Sequence, residues 1–134
     1  MNKNIFITGI GTDVGKTIVS AILAEALKAD YWKPIQCGVD PATGKTDSQI
    51  VKELVSNSKT IVYPETYYFK NPLSPNAAAK MENVEIDIDN IKAPKSENGI
   101  IIEGAGGIMV PLNNKHLVVD LIEKLHTEVI LVSQ

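Results

Sequence analysis

The sequence predicts an α/β fold built on a mostly parallel sheet. Three observations carry that expectation. Apolar stretches of strand length alternate with helical ones along the 134 residues. The run at 99–103 (GIIIE) is apolar up to its final residue, as in a strand buried on both faces. The segment FITGIGTDVGKTIVSAILAEAL, residues 6–27, joins a strand to a helix through a glycine-rich turn that ends in Gly-Lys-Thr.

In chain order, residues 4–8 (NIFIT) read as a short strand. Residues 16–28 read as a helix, because Ile18, Val19, Ile22, Leu23, Ala26 and Leu27 recur at spacings of three and four. Residues 31–35 (YWKPI) form a second strand, which Pro34 confines to an end or an edge. Residues 46–55 are helical, with Ile50, Val51, Leu54 and Val55 on one face. The stretch 56–98, rich in Pro and Asn, reads as a long surface excursion with one or two short helices. After the strand at 99–103, residues 117–125 (LVVDLIEKL) make an amphipathic helix with Leu117, Leu121, Ile122 and Leu125 inward. Residues 128–133 (EVILVS) add a last strand, and residues 1–134 are expected to be a single domain.

At 44% hydrophobic and 22% charged residues, the composition is that of a globular protein. A net charge of −3 argues against general affinity for nucleic acid or for an anionic membrane surface. No apolar run approaches the ~18 residues of a membrane span, and MNKNIFITG lacks the apolar core of a secretory signal. Cys37 is the one cysteine, so no intrachain disulfide can form, in keeping with a reducing cytoplasm.

Ligands of parallel sheets gather beyond the C-terminal ends of the strands. Three polar clusters fall there, at 9–17, 33–37 and 103–107. In the first, the N–H groups of a turn through Gly11, Thr12, Asp13, Val14 and Gly15 suit a concave anion site. The following helix adds its N-terminal partial positive charge. Lys16 can reach terminal phosphates, and the Thr17 hydroxyl can ligate a magnesium ion bridging them. A turn whose glycines serve geometry alone is the blander alternative, and Gly-Lys-Thr between strand and helix argues against it. The spacing G-x-x-x-x-x-G-K-T is one residue longer than the usual phosphate loop, with Ile10 where glycine is ordinary.

Glu103 ends an apolar strand, where an unpaired carboxylate is costly, so a cation partner is expected. Asp47 opens DSQIVKEL, where it caps the helix or binds metal, two compatible roles. Residues 104–107 either bring backbone close to a ligand or simply turn the chain, and Thr12 and Asp13 either face the ligand or shape the loop. Cys37 has no Cys or His partner at a recognisable spacing, and no function is assigned to His116 or His126.

GIGTDVGKT resembles the elongated loop of the dethiobiotin synthetases, P-loop NTPase-like enzymes of biotin biosynthesis whose loop typically reads GTDTxVGKT. WKPIQCG at 32–38 is similar to their KPV/KPI-x-[ST]-G segment, and EGAGGIMVPL at 103–112 to EGAGG-x-x-x-PL. A weaker match is NPLSPNAAA at 71–79, like P-x-SPHxAA. The segments stand in family order and cover most of the chain.

The resemblance implies an ATP- and magnesium-dependent ligase acting on 7,8-diaminopelargonate and CO2, through a carbamate and a carbamic-phosphoric anhydride. It implies catalytic roles for Lys16 and Lys33, and a magnesium set of Thr17, Asp47 and Glu103. Glu103, Gly104 and Gly106 would join the loop around the phosphates, and Thr12, Lys33, Cys37, Ser74 and Pro75 would meet the substrate. A cytoplasmic homodimer is implied as well. Cys37 stands where the family has Ser or Thr, and Asn76 where it has His. Family members continue for about a hundred residues more, roughly a further half-domain. A C-terminally truncated chain, lacking the adenine pocket and binding nucleotide weakly, is therefore expected. Two other readings stay open: a P-loop amide ligase of the cobyrinate-amidation type, or a non-catalytic ATP-binding switch. Switches of the partitioning-ATPase kind carry an early loop lysine, where this chain has Ile10 and Gly11.

Overall fold

A computed structural model describes residues 3–134. The elements are β1 (Ile5–Gly9), α1 (Lys16–Leu27), β2 (Asp30–Trp32), β3 (Ile35–Cys37), α2 (Asp47–Leu54), β4 (Val62–Tyr63), β5 (Tyr67–Phe69), α3 (Pro75–Met81), β6 (Ile100–Glu103), α4 (Val118–Leu125) and β7 (Glu128–Val132). A 3-10 turn at Ile88–Asn90 precedes β6. Five strands form a parallel sheet in the order β4-β2-β6-β1-β7, and β3 and β5 pair in a second, two-stranded parallel sheet. No helix among the described residues is long and apolar enough to cross a membrane.

Alternation along the strands sorts side chains onto two faces. Phe6, Trp32, Ile100 and Ile102 pack with Val118, Leu121 and Ile122 of α4, and with Ala78 and Ala79 of α3. On the other face, Ile7 and Ile101 lie under Ala24 of α1, while Tyr31 packs with Ala21 of α1 and Val51 of α2. All four residues of β6 are buried, as a central strand requires.

Four expectations are corrected. The strand at 31–35 is two strands in two sheets. Pro34 has no N–H to extend the ladder, and its carbonyl instead accepts from the N–H groups of Thr66 and Tyr67, both at 2.9 Å. The chain thereby leaves the main sheet at Lys33. Second, the stretch 56–98 carries the short helices expected of it, α3 and the 3-10 turn, but is no surface excursion. It supplies β4, β5 and the buried Phe69, Ala78, Ala79, Ile86 and Ile91, which cover the Trp32 face. Third, α1 turns Ser20, Ala21 and Ala24 to the core, and leaves Ile18, Ile22 and Leu27 exposed. Small side chains let the helix sit close to the sheet, and the helix begins where the loop ends. In α4, Val118 is buried where Leu117 was expected, and Leu117 and Leu125 are half-buried.

Candidate functional site

The loop between β1 and α1 is held from below by the turn that follows β6. Gly104 N–H donates to the Ile7 carbonyl at 2.9 Å, and Ile108 N–H to that of Gly9 at 3.0 Å. A Cβ on Gly107 would lie 3.1 Å from the Ile10 carbonyl oxygen, so glycine lets the two backbones touch. Gly104 is needed for packing as well: a Cβ there would lie 2.8 Å from Cε1 of Phe6. Gly104→Ala is expected to destabilise the fold by about 1–3 kcal/mol through overpacking, read as a lowered urea midpoint; an unchanged midpoint would show that Phe6 yields freely. Ile10, the residue that lengthens the loop, turns outward and is 62% exposed. Gly15 adopts φ 99°, a left-handed conformation that favours glycine, and α1 starts directly after it.

Five side chains meet at the C-terminal ends of β2 and β6. Trp32 lies beside Ile102 in the register of β2 and β6. The next residue on each strand, Lys33 and Glu103, therefore come together on the face carrying Tyr31 and Ile101. The Lys33 ammonium donates to Glu103 Oε2 at 3.1 Å and to Asp47 Oδ2. Thr17 Oγ1 donates to the same Glu103 oxygen at 2.9 Å, and Tyr31 Oη donates to Oε1 at 2.8 Å. Lys16 Nζ instead donates to the Gly11 carbonyl at 2.9 Å, across the mouth of the loop.

Asp47 stands at the first turn of α2, but the cap is its neighbour. Thr46 Oγ1 accepts from Gln49 N–H, and Gln49 Oε1 accepts from Thr46 N–H, a reciprocal capping box. The Asp47 carboxylate is thus left for Lys33. Its N–H donates to Gln36 Oε1 at 3.2 Å, while Gln36 Nε2 donates to the Gly38 carbonyl. Tyr31 and Gln36, the latter inside the 33–37 cluster, join the site although no role was expected of either. Tyr31 lies two residues before Lys33 on the same strand face, and that spacing was the available signal.

Burial sets the electrostatics. Lys33 is only 5% exposed and Glu103 1%, so Lys33 is no solvated strand-end lysine. Burial alone would push the Lys33 pKa down, but Glu103 and Asp47 outweigh it and raise the ammonium above the ordinary lysine value. Burial pushes the Asp47 carboxyl up, yet Lys33 holds it below the usual range. Glu103 is raised, by burial first, against the opposing pull of Lys33. Lys16 is lowered by burial and by the like charge of Lys33. The two carboxylates thus favour the charged form of Lys33.

The same cluster has the chemistry of a magnesium site. Thr17 Oγ1, Asp47 and Glu103 are hard oxygen donors drawn together from three elements, with Thr17 and Glu103 in contact and both carboxylates on one ammonium. Among the described residues no three His, Cys, Asp or Glu side chains gather into a full protein cage. One or two carboxylates with substrate phosphates and water are what magnesium prefers, so the donor set fits.

A cavity of about 920 Å³ opens over the cluster. Thr12, Asp13, Gly15, Lys16, Thr17, Lys33, Cys37, Asp47, Ser74, Pro75, Glu103 and Gly106 all line it. Gly11, Val14 and Gly104 are not among the residues that line it, and the Asn76 N–H donates to the Pro111 carbonyl. Neither His116 nor His126 reaches it; His126 ends α4 with φ 52°. The Cys37 thiol, half-buried, is pushed up to about 11 by burial, with Lys33 opposing. Its thiolate is scarce below that pH, so alkylation by iodoacetamide is expected to be slow at pH 7.5 and to accelerate as pH rises towards 11. Complete labelling within minutes at pH 7.5 would contradict that environment.

A parallel sheet whose glycine-rich loop runs into Gly-Lys-Thr, facing a strand-end carboxylate, defines a P-loop NTPase-like protein. The chain belongs to the AAA domain family, whose model matches residues 3–134. It is 54% identical over 134 residues to the ATP-dependent dethiobiotin synthetase BioD of Christiangramia forsetii, which covers 100% of this chain and 63% of that protein. The proteins of the same name from Cytophaga hutchinsonii and Paramagnetospirillum magneticum are 51% and 42% identical over 132 residues, 98% of this chain and 62% of each relative. The chain thus spans a little under two thirds of the length of these relatives.

Proposed function

We propose that this chain, as one P-loop α/β domain over residues 1–134, handles phosphate, metal and carbamate in a dethiobiotin synthetase. The observation that carries this reading is the buried Lys33 ammonium, held between Asp47 and Glu103 beside the phosphate loop. One amine of 7,8-diaminopelargonate takes up CO2 as a carbamate. The γ-phosphoryl group of ATP passes to a carbamate oxygen, giving ADP and a carbamic-phosphoric anhydride. The second amine attacks the anhydride carbon, phosphate leaves, and the ureido ring of dethiobiotin closes.

No enzyme nucleophile is required, only alignment and compensation of charge. Lys16 and the N–H groups of residues 11–17 bind the β- and γ-phosphates, with Gly104 and Gly106 contributing from the facing turn. Lys33 neutralises the carbamate and the transferring phosphoryl group. Thr12, Cys37, Ser74 and Pro75 contact the diamine side of the cavity. Thr17, Asp47 and Glu103 would hold magnesium, which when bound lowers the negative charge on the phosphates. We place the reaction in the cytoplasm, in a homodimer that engages neither nucleic acid nor membrane.

The test supplies diaminopelargonate, bicarbonate and magnesium ATP and looks for dethiobiotin by mass spectrometry. Dethiobiotin is expected only when all are present. Phosphate release without the diamine, and no dethiobiotin, would overturn the reading in favour of a nucleotide switch.

A further inference from the structure

We infer that Tyr31 is a positioning residue that fixes which oxygen of Glu103 faces the metal and phosphates; this rests on the proposed function. The phenol donates to Glu103 Oε1 at 2.8 Å, while Oε2 faces Thr17 at 2.9 Å and Lys33 at 3.1 Å. One carboxylate oxygen is therefore engaged from behind and the other is presented to the site. The ring has no freedom to leave. It is fully buried, packed with Ala21 of the helix that carries Lys16 and Thr17, and with Val51 of the helix that carries Asp47. Tyr31 thus touches both helices and the strand that supply the metal donors, without lining the cavity itself. Without the hydroxyl, Oε1 loses its donor, and the carboxylate is held through Oε2 alone, by Thr17 and Lys33. Partners that orient a metal ligand from behind commonly alter metal affinity by about 10–100-fold when removed.

The experiment follows binding of a fluorescent N-methylanthraniloyl ATP while Mg2+ is titrated, with thermal denaturation run in parallel. Tyr31→Phe keeps the ring and is expected to raise the half-saturating Mg2+ by about tenfold or more, with binding in the absence of Mg2+ unchanged. Tyr31→4-aminophenylalanine leaves a weaker donor at the same point, and its midpoint is expected between the two. Should Tyr31→Phe fail to fold, that second variant carries the test alone. A lowered melting temperature with an unmoved Mg2+ midpoint, in whichever variant folds, overturns the inference and leaves Tyr31 a structural partner only. Wild-type protein that binds the nucleotide without any Mg2+ dependence overturns the proposed metal site, and this inference with it.

Discussion

Lys33→Met is expected to destabilise the fold by about 3–5 kcal/mol, the loss that follows when one partner of a buried ion pair is removed. Methionine matches the aliphatic stem, so the effect isolates the charge. The variant leaves Glu103, 1% exposed, without the ammonium that balances it, and leaves Asp47 beside it as a like charge. Such a loss rivals the whole stability of many small domains. Urea denaturation at pH 7 measures it. The pH dependence gives a second check with a definite sign. A carboxyl whose folded pKa lies above its unfolded value binds more protons in the folded state, so stability rises as pH falls. Glu103 is already raised in the wild type, and losing Lys33 raises it further. The deficit of the variant should therefore shrink from pH 7 towards pH 5. Glu103→Gln in the Lys33→Met background should recover part of the loss. Equal stability of Lys33→Met and wild type at pH 7 would show the pair to be dispensable.

Lys16→Ala should do the opposite. Lys16 is nearly as buried, but among the described residues it donates to the Gly11 carbonyl and to no carboxylate, and burial lowers its pKa. Holding that charge in the free protein is unfavourable, so its removal is expected to leave the melting temperature unchanged or slightly higher. Binding carries the loss. A charge-assisted hydrogen bond to phosphate contributes about 2–3 kcal/mol, so the affinity for a fluorescent ATP analogue should fall by about 30- to 150-fold. An unchanged affinity would remove Lys16 from the phosphate site. The two lysines, one opening α1 and one just beyond β2, are thus expected to separate: one holds the ligand, the other holds the fold together.

The P-loop half of the molecule was legible because its signals are local. Glycine spacing, the Gly-Lys-Thr triplet and the apolar run into Glu103 each act within a few residues, and β1, α1 and β6 lie where they point. What escaped depends on partners distant in sequence. Pro34 was recognised as a strand limit, yet a second sheet depends on Thr66 and Tyr67, some thirty residues on, donating to its carbonyl. The buried residues of 56–98 are scattered among polar ones without a period, so nothing in the segment marks them as core. Within the site, the resemblance grouped Thr17, Asp47 and Glu103 as a magnesium set and named Lys33 apart from them. The pairing of Lys33 with Glu103 follows from the register of β2 against β6, which no local pattern specifies. Asp47 was read as cap or ligand; the capping box assigns the cap to Thr46 and leaves Asp47 to Lys33.

The order of the main sheet has a consequence for motion. Glu103 sits at the end of β6, the middle strand of β4-β2-β6-β1-β7, paired on both sides and covered on both faces. Opening free energies are highest in such strands and lowest at edges and termini. The amide protons of Ile101 and Ile102 therefore belong among the slowest to exchange with solvent, and those of two-residue β4 among the fastest in the sheet. The carboxylate at which Thr17, Tyr31 and Lys33 converge is mounted on the last part of the molecule to breathe.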